Sequence, residues 1–285
     1  MEEYKTPRVV EAYLKSKLVE GYSELTVKYR KYFLDNFFKY VDKAPEEVKV
    51  NDIRLFLFDY KEERKIEFAS LEEVRQAIHC FYTWMVEEEF MSENPCAKIK
   101  KIKAETKERA FLTPGELDEM RGACKYERDS VILEFLYSTG CRISEVCNMK
   151  IADVNFENRT VKIFGKGRKE RTGYLTEKAA MMLREYLEHR EDDCDALFVS
   201  LRRPYKAITP RSIQMRMKDI SEHTSITKKV SPHVIRHTTA TIALRNGMPI
   251  EDIQKMLGHS SINTTLIYAK VDNEQVQYKH DMYVV

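Results

Sequence analysis

The sequence has no apolar run long enough to cross a bilayer, and its amino terminus is acidic and then amphipathic, which is not typical of a signal peptide. Its six cysteines include no C-x-x-C pair, and most lie in apolar helical patterns, which favours buried free thiols over disulfides or a metal site. Internal repeats and low-complexity segments are also missing. We therefore expect a cytoplasmic globular protein that does not associate with membranes.

A large excess of either charge is missing as well. The chain carries 48 Lys and Arg residues against 46 Asp and Glu residues, so its formal net charge is +2. This near balance excludes a surface that is basic throughout, and a polyanionic partner would have to be bound by clustered basic side chains. The length of 285 residues suffices for one or two domains with a sizeable core.

Residues 1–100 have apolar positions at helical spacing and no strand-like alternation, which predicts a bundle of four helices. Ser70 and Glu73 have the spacing of a capping box, so the fourth helix is predicted to begin there. Residues 101–109 are basic and poor in apolar side chains, and they are predicted to link this domain to the next. Such a segment is either a solvated linker or one that lies along a polyanion.

Residues 110–285 are predicted to form a second domain of a different kind. Three short segments, ADVNF, TVKIFG and RTGYLT, alternate between apolar and polar side chains and predict a small antiparallel sheet. Helical patterns lie on both sides of these segments. The predicted fold class of the whole chain is therefore mainly α with a small antiparallel β-sheet.

The segment SPHVIRHTTAT has the signature of a helix start, with Ser231 as the N-cap and Pro232 after it. His233 then lies in the first turn, where the electropositive helix end disfavours a protonated imidazole, and Arg236 lies on the same face. A neutral imidazole beside a guanidinium at a helix start suits an anion. A zinc site that used His233 and His237 lacks the glutamate and the Cys/His cluster that such sites need, so the sequence does not support it.

Two further segments carry basic side chains at sites suited to phosphate. In TGCRISEV, Gly140 is expected to end a buried helix, so Arg142 begins the next one and Glu145 can hold its guanidinium. In IFGKGRKERTGYL, two glycines flank Lys166 at a hairpin tip, where a lysine can reach a phosphate or donate a proton. Each feature alone is also compatible with an ordinary surface ion pair or a solvated basic turn.

The segment LGHSSINTTLIYAK contains His259 and Tyr268, which would lie on opposite faces of one unbroken helix. However, Gly258 is expected to end one helix and Ser261 to cap another. His259 would then lie in the turn, so that it and Tyr268 can converge on one site.

Taken together, these residues form an ordered set that resembles the catalytic signature of the tyrosine recombinase, or phage integrase, family, with Xer-like two-domain organisation. The amino-terminal helices resemble that family's SAM-like core-binding domain, so the resemblance covers nearly the whole chain. The sequence departs from the family pattern at Cys141, Val146 and Tyr174, and none of these departures removes a catalytic group. The set is Arg142, Lys166, His233, Arg236, His259 and Tyr268, within TGCRISEV, FGKGRKERTGYL, PHVIRHTTAT and LGHSSINTTLIYAKV.

The resemblance implies a site-specific DNA recombinase that cleaves and rejoins strands through a 3′-phosphotyrosyl intermediate and a Holliday junction. Neither ATP nor a metal nor another cofactor is then expected. Tyr268 is the implied nucleophile, Arg142, Arg236 and His259 bind the scissile phosphate, His233 is the general base, Lys166 is the general acid, and Glu145 orients Arg142.

The resemblance also implies double-stranded DNA as the partner and a tetramer on two DNA sites, with the tail 271–285 of each subunit on a neighbour. Two alternatives use the same residues: a type IB topoisomerase, which reseals without strand exchange, and a non-catalytic DNA-binding relative. The candidate DNA contacts outside the catalytic set are Lys100, Lys101, Lys103, Lys107, Arg168, Lys169, Arg211 and Arg216.

Overall fold

The computed structural model describes residues 6–103, 110–165, 170–259 and 261–266. The chain divides into two compact units, Met1–Lys107 and Glu108–Val285. The structure is mainly helical with one three-stranded antiparallel sheet, so the predicted fold class is confirmed. No helix within these ranges is both long and apolar enough to span a membrane.

The first unit is a bundle of the four predicted helices around an aromatic core. Tyr13, Phe37 and Phe81 are fully buried, and Tyr13 and Phe81 meet edge to face with ring centroids 5.5 Å apart. Such rings bury large apolar areas and fix their neighbours through preferred geometries, so they hold the helices together. The helices are α1 (Arg8–Val19), α2 (Glu24–Val41), α3 (Val50–Arg64) and α4 (Phe68–Glu87).

The predicted start of the fourth helix is wrong by three residues. α4 begins at Phe68, and the amide of Leu71 already donates to the carbonyl of Glu67 at 3.0 Å. Ser70 therefore lies inside the first turn and does not cap the helix. Ile66, which precedes the helix, packs against the core of the unit and sets the earlier start.

The beginning of the basic segment belongs to the first unit. Ile99 and Ile102 pack against its core, and the amide of Ile102 donates to the carboxylate of Glu72 at 2.9 Å. The lysines between and beside them point outward and are exposed, at positions 100, 101 and 103. Residues 104–109 lie outside the described residues.

The second unit is built around α6 (Glu127–Thr139), which packs against both α8 (Glu177–Glu188) and α10 (Pro232–Arg245). Its apolar residues, such as Leu133 and Leu136, are fully buried. A residue in the left-handed conformation ends the helix at Gly140, as the sequence predicts, with φ of 58°. The helices are α5 (Pro114–Gly122), α6 (Glu127–Thr139), α7 (Ile143–Cys147), α8 (Glu177–Glu188), α9 (Pro210–Ser221), α10 (Pro232–Arg245) and α11 (Ile250–Leu257).

The predicted sheet consists of β1 (Val154–Asn155), β2 (Thr160–Phe164) and β3 (Glu170–Tyr174), in that spatial order. In the antiparallel register Ile163 lies opposite Arg171, so both side chains are on the same face. That face is the buried one, because Ile163 is fully buried. β3 also lies next to α11, which brings Arg171 towards the turn that follows this helix.

Candidate active site

Arg142 occupies the N-cap position of α7, directly after the turn at Gly140. The carboxylate of Glu145 accepts the backbone N–H of Arg142 through Oε2 at 2.8 Å and its Nη1 through Oε1 at 3.0 Å. The side chain of Glu145 is 4% exposed and that of Arg142 is 40% exposed. A buried carboxylate thus orients a guanidinium that remains open to solvent on its other side, as the spacing in TGCRISEV predicts.

Arg236 lies on α10 and is 5% exposed. Its Nη1 donates to the carbonyl of Gly140 at 2.5 Å, and its Nη2 donates to the carbonyl of Leu257 at 2.7 Å. These carbonyls belong to the C-terminal ends of α6 and α11, where helix carbonyls lack helical partners and the helix dipole favours a cation. One guanidinium therefore joins the turn before Arg142 to the turn before His259.

His259 follows Gly258, which adopts the predicted left-handed conformation with φ of 64°. Its Nδ1 lies 2.9 Å from the hydroxyl of the buried Thr265. Burial, reinforced by the positive charges of Arg236 and Arg142, lowers the pKa of His259 from 6.5 to about 4. The imidazole is therefore neutral at pH 7 and can donate a single hydrogen bond to an anion.

His233 lies in the first turn of α10, and its side chain is exposed. The helix begins as predicted, since the hydroxyl of Ser231 accepts the amide of Val234 at 3.4 Å and Pro232 follows the cap. His233 precedes Arg236 by three residues, which puts both on one side of the helix. Over the residues that the structure covers, no three His, Cys, Asp or Glu side chains lie close enough together to hold a metal ion.

Arg171 is a site residue whose contacts the sequence did not reveal, although its positive charge was evident. It projects from the buried face of β3, and its Nη2 donates to Oε2 of Glu145 at 2.9 Å. The same carboxylate therefore binds two guanidiniums, those of Arg142 and Arg171. The alternation of exposed and more buried residues along β3 indicates that Arg171 faces inward, because it lies on the same face as the buried Gly173 two residues later.

These elements enclose a cleft of about 840 Å³ lined by Arg142, Glu145, Arg171, Gly258 and His259, among others. It contains guanidiniums and a neutral imidazole, which are the donors that bind a phosphate group. Lys166 and Tyr268 lie outside the described residues, as do Lys107, Arg168, Lys169 and the tail 271–285. Of the described residues in the predicted set, the contacts above bring Arg142, Glu145, Arg236 and His259 together, and His233 lies three residues before Arg236 on α10.

The candidate DNA contacts on α9 differ from one another. Arg211 is exposed at the start of the helix. Arg216 donates to the fully buried Asp129 at 2.6 Å and to Asp219 at 2.8 Å, and its guanidinium lies over the ring of Tyr126. Arg216 thus has partners inside the protein that the sequence did not reveal, and its contact with DNA stays a prediction.

Comparison with known proteins gives matches over nearly the whole chain. Residues 110–275 match the model of the phage integrase family, and residues 10–91 match the model of the phage integrase N-terminal SAM-like domain. The tyrosine recombinase XerC of Anoxybacillus flavithermus is 31% identical over 279 residues, which cover 92% of this chain and 92% of the relative. The tyrosine recombinase XerD of Oceanobacillus iheyensis is 30% identical over 283 residues, covering 94% and 93%.

Solved structures share the fold. XerA recombinase, 27% identical, is similar with a TM-score of 0.56 over 98% of this chain and 99% of that one. A second similar structure is XerH recombinase bound to a palindromic difH substrate in a post-cleavage complex. It is 21% identical and has a TM-score of 0.76, with 97% of this chain and 84% of that one covered. A λ integrase dimer bound to a COC′ core site is 18% identical and has a TM-score of 0.77, with 90% of this chain and 96% of that one covered.

Proposed function

Because the chain belongs to the phage integrase family and is a site-specific tyrosine recombinase that acts on DNA, we propose that the cleft at Arg142, Arg236 and His259 is where the DNA strand is cut and rejoined. The observation that carries this proposal is the position of Arg236. Its guanidinium joins the ends of α6 and α11, so that the residues after both helices, Arg142 and His259, belong to one site. The relatives are recombinases by name, and the topoisomerase and non-catalytic alternatives are not favoured.

The proposed chemistry begins with charge neutralisation at the scissile phosphate. The two non-bridging oxygens carry negative charge that rises as the phosphorus is attacked. Arg142 and Arg236 would donate to these oxygens, and the neutral imidazole of His259 would add a further hydrogen bond. Donors fixed in place before the reaction lower its barrier because they need not reorganise in the transition state.

Tyr268 would attack the phosphorus in line with the leaving 5′-oxygen. A phenol has an ordinary pKa of about 10, so the neutral imidazole of His233 would accept its proton. A bond forms between the phenolic oxygen and phosphorus, the bond from phosphorus to the 5′-oxygen breaks, and Lys166 would give that oxygen a proton. The products are a 3′-phosphotyrosyl bond and a free 5′-hydroxyl.

Rejoining is the same reaction in reverse. A 5′-hydroxyl of the partner duplex would attack the phosphotyrosyl bond, release Tyr268 and restore the phosphodiester. One phosphodiester replaces another, so no ATP is consumed. Exchange of one strand pair before the other gives a Holliday junction as the intermediate.

Arginine charges take the place that a divalent metal has in other phosphoryl-transfer sites. We therefore expect covalent adduct formation to persist in excess EDTA. Loss of adduct on chelation, restored by added Mg²⁺, would contradict this assignment of the charge.

Binding of the duplex would depend on phosphate contacts by exposed basic residues. Lys100, Lys101 and Lys103 are exposed on the first unit, and Arg211 is exposed on α9. The proposed set also includes Lys107, Arg168, Lys169 and Arg216. Contacts of this kind make affinity fall steeply with salt because binding releases counterions.

We further propose that four protomers assemble on two DNA sites and that residues 271–285 of each contact a neighbour. A chain that ends at residue 270 should bind a single site with nearly unchanged affinity but should assemble poorly on paired sites. Gel-filtration light scattering with one-site and two-site duplexes measures both. Equal loss of both activities would count against the tail as the assembly element.

The decisive test of the function is covalent capture. The protein is incubated with a pool of random-sequence duplexes, denatured, and recovered with the DNA that stays attached. Sequencing this DNA gives the target, and a nicked duplex with that sequence then measures the rate of adduct formation. Tyr268→Phe should bind this duplex like the wild type but form no adduct, whereas an adduct from this variant would overturn the assignment.

A further inference from the structure

Within the part of the chain that the structure describes, Arg171 has buried polar atoms without hydrogen-bond partners, unlike Arg190 of the same unit. Its side chain is 13% exposed, and among the described residues its Nε and Nη1 atoms are buried and have no hydrogen-bond partner. Arg190, in contrast, donates to the carboxylate of Asp192 and to the carbonyls of Cys194 and Ala196. Buried donors without partners are unfavourable for the fold, so their presence points to a role other than stability.

Among the residues that the structure describes, the hydrogen-bond partner of Arg171 is the carboxylate that orients Arg142. Oε2 of Glu145 accepts both the Nη2 of Arg171 and the backbone N–H of Arg142. A carboxylate bound from two sides cannot rotate without breaking a charge-assisted hydrogen bond. Arg171 therefore limits the positions that Glu145, and hence the Arg142 guanidinium, can take.

Arg171 also lies against the turn that carries His259. A Cβ atom added to Gly258 would lie 2.6 Å from both Cδ and Nε of Arg171, which is closer than real Cβ atoms approach. The arginine stem thus fills the space that a side chain at position 258 would need. Any shift of this stem is transmitted to Gly258 and to the residue that follows it.

We propose that Arg171 is a positioning residue of the recombinase site, which sets the Arg142 guanidinium through Glu145 and the His259 turn through Gly258. The proposal rests on the proposed function of this cleft. The two groups it positions come from different elements, α7 and the turn after α11, and both must reach one phosphate. A misplacement of about 1 Å at such donors can lower a rate roughly a hundredfold.

The first experiment separates cleavage from binding. Wild type, Arg171→Gln, Arg171→Lys and the control Lys162→Gln are compared on the nicked duplex recovered by covalent capture. Lys162 is exposed on the opposite face of the same sheet, so its variant removes one positive charge without touching the cleft. We expect Arg171→Gln to form adduct about tenfold to a hundredfold more slowly at saturating DNA, with the dissociation constant changed less than about threefold.

Arg171→Lys should recover only part of the rate, because a lysine cannot place a planar fork against Glu145. Lys162→Gln should react like the wild type. A wild type that forms no adduct refutes the proposed function itself. A wild type that reacts while Arg171→Gln reacts within threefold of it refutes the positioning role alone, and so does a loss confined to DNA affinity.

The second experiment is a double-mutant cycle that tests the contact between Arg171 and the His259 turn. Gly258→Ala should slow adduct formation in the wild-type background, because its methyl group displaces the arginine stem and adds left-handed strain. In an Arg171→Ala background the strain remains but the stem is gone, so the additional effect of Gly258→Ala on the rate should be smaller. Equal effects in both backgrounds would overturn the coupling between Arg171 and the His259 turn.

Discussion

Replacement of Arg236 by methionine removes the link between the two turns while it keeps much of the buried stem. The variant loses two hydrogen bonds from a charged donor, each of which contributes about 1.5–3 kcal/mol. Relief from burying a charge offsets part of this sum, so we expect the free energy of unfolding to fall by about 3 kcal/mol. Adduct formation should fall by at least 10²–10³-fold, the typical effect of losing one fixed donor to a developing oxyanion.

Two measurements test this prediction. Urea unfolding followed by far-UV circular dichroism gives the change in stability, and hydrogen exchange read by mass spectrometry shows where protection is lost. Faster exchange should be concentrated in the residues around Gly140 and Leu257, whose carbonyls Arg236 binds. Lys255→Gln is the matched control, since Lys255 is exposed on α11 with a surface partner at 3.5 Å and should change stability by no more than about 0.5 kcal/mol.

Unchanged exchange at both turns, with a stability loss no larger than that of the control, would contradict this structural role of Arg236. It would mean that the two helix ends hold their positions without Arg236. The Arg236 guanidinium would then at most bind the phosphate, and something other than Arg236 would bring Arg142 and His259 into one site.

Three further predictions concern other parts of the chain. The pKa of His259 in the folded state is about 4, below its ordinary value of 6.5, so the stabilisation by its neutral imidazole is complete above pH 6.5 and is lost as the pH falls towards 4. NMR titration should show no His259 midpoint above pH 5, and His259→Gln should make the free energy of unfolding less dependent on pH between 6.5 and 4. Gly140→Ala should destabilise the protein by more than about 1 kcal/mol in thermal unfolding, because it adds left-handed strain and a Cβ 2.7 Å from Cδ2 of Leu257; a stabilised variant would contradict this. Replacement of Lys100, Lys101 and Lys103 by glutamine should make DNA affinity less dependent on salt concentration, as measured by fluorescence anisotropy titrations. An unchanged slope of affinity against salt would show that these lysines do not contact DNA.

Local rules predicted the helix ends that matter for the site. Ser231 caps α10, and Gly140 and Gly258 end their helices in the left-handed conformation. These signals depend on one or two residues and on backbone sterics, so the sequence contains them in full. The grouping of Arg142 with Glu145 was also predictable, because the two residues are three positions apart on one turn.

What the sequence did not contain were partners distant along the chain. Arg216 had the position of a groove contact, but it pairs with Asp129, 87 residues away. Arg171 added to a basic hairpin in the sequence, yet it binds Glu145, 26 residues away, from the buried side of the sheet. The start of α4 was misplaced for a related reason, since packing of Ile66 on the core outweighed the local capping signal of Ser70 and Glu73.

In the proposed mechanism one particular phenol forms the bond to DNA at the site of Arg142, Arg236 and His259. Nuclease and protease digestion of the trapped adduct, followed by tandem mass spectrometry, identifies the modified residue directly. We expect a nucleotide joined through a 3′-phosphate to Tyr268. A nucleotide on Tyr278, on Tyr283 or on any serine, or a 5′-phosphate linkage, would contradict it.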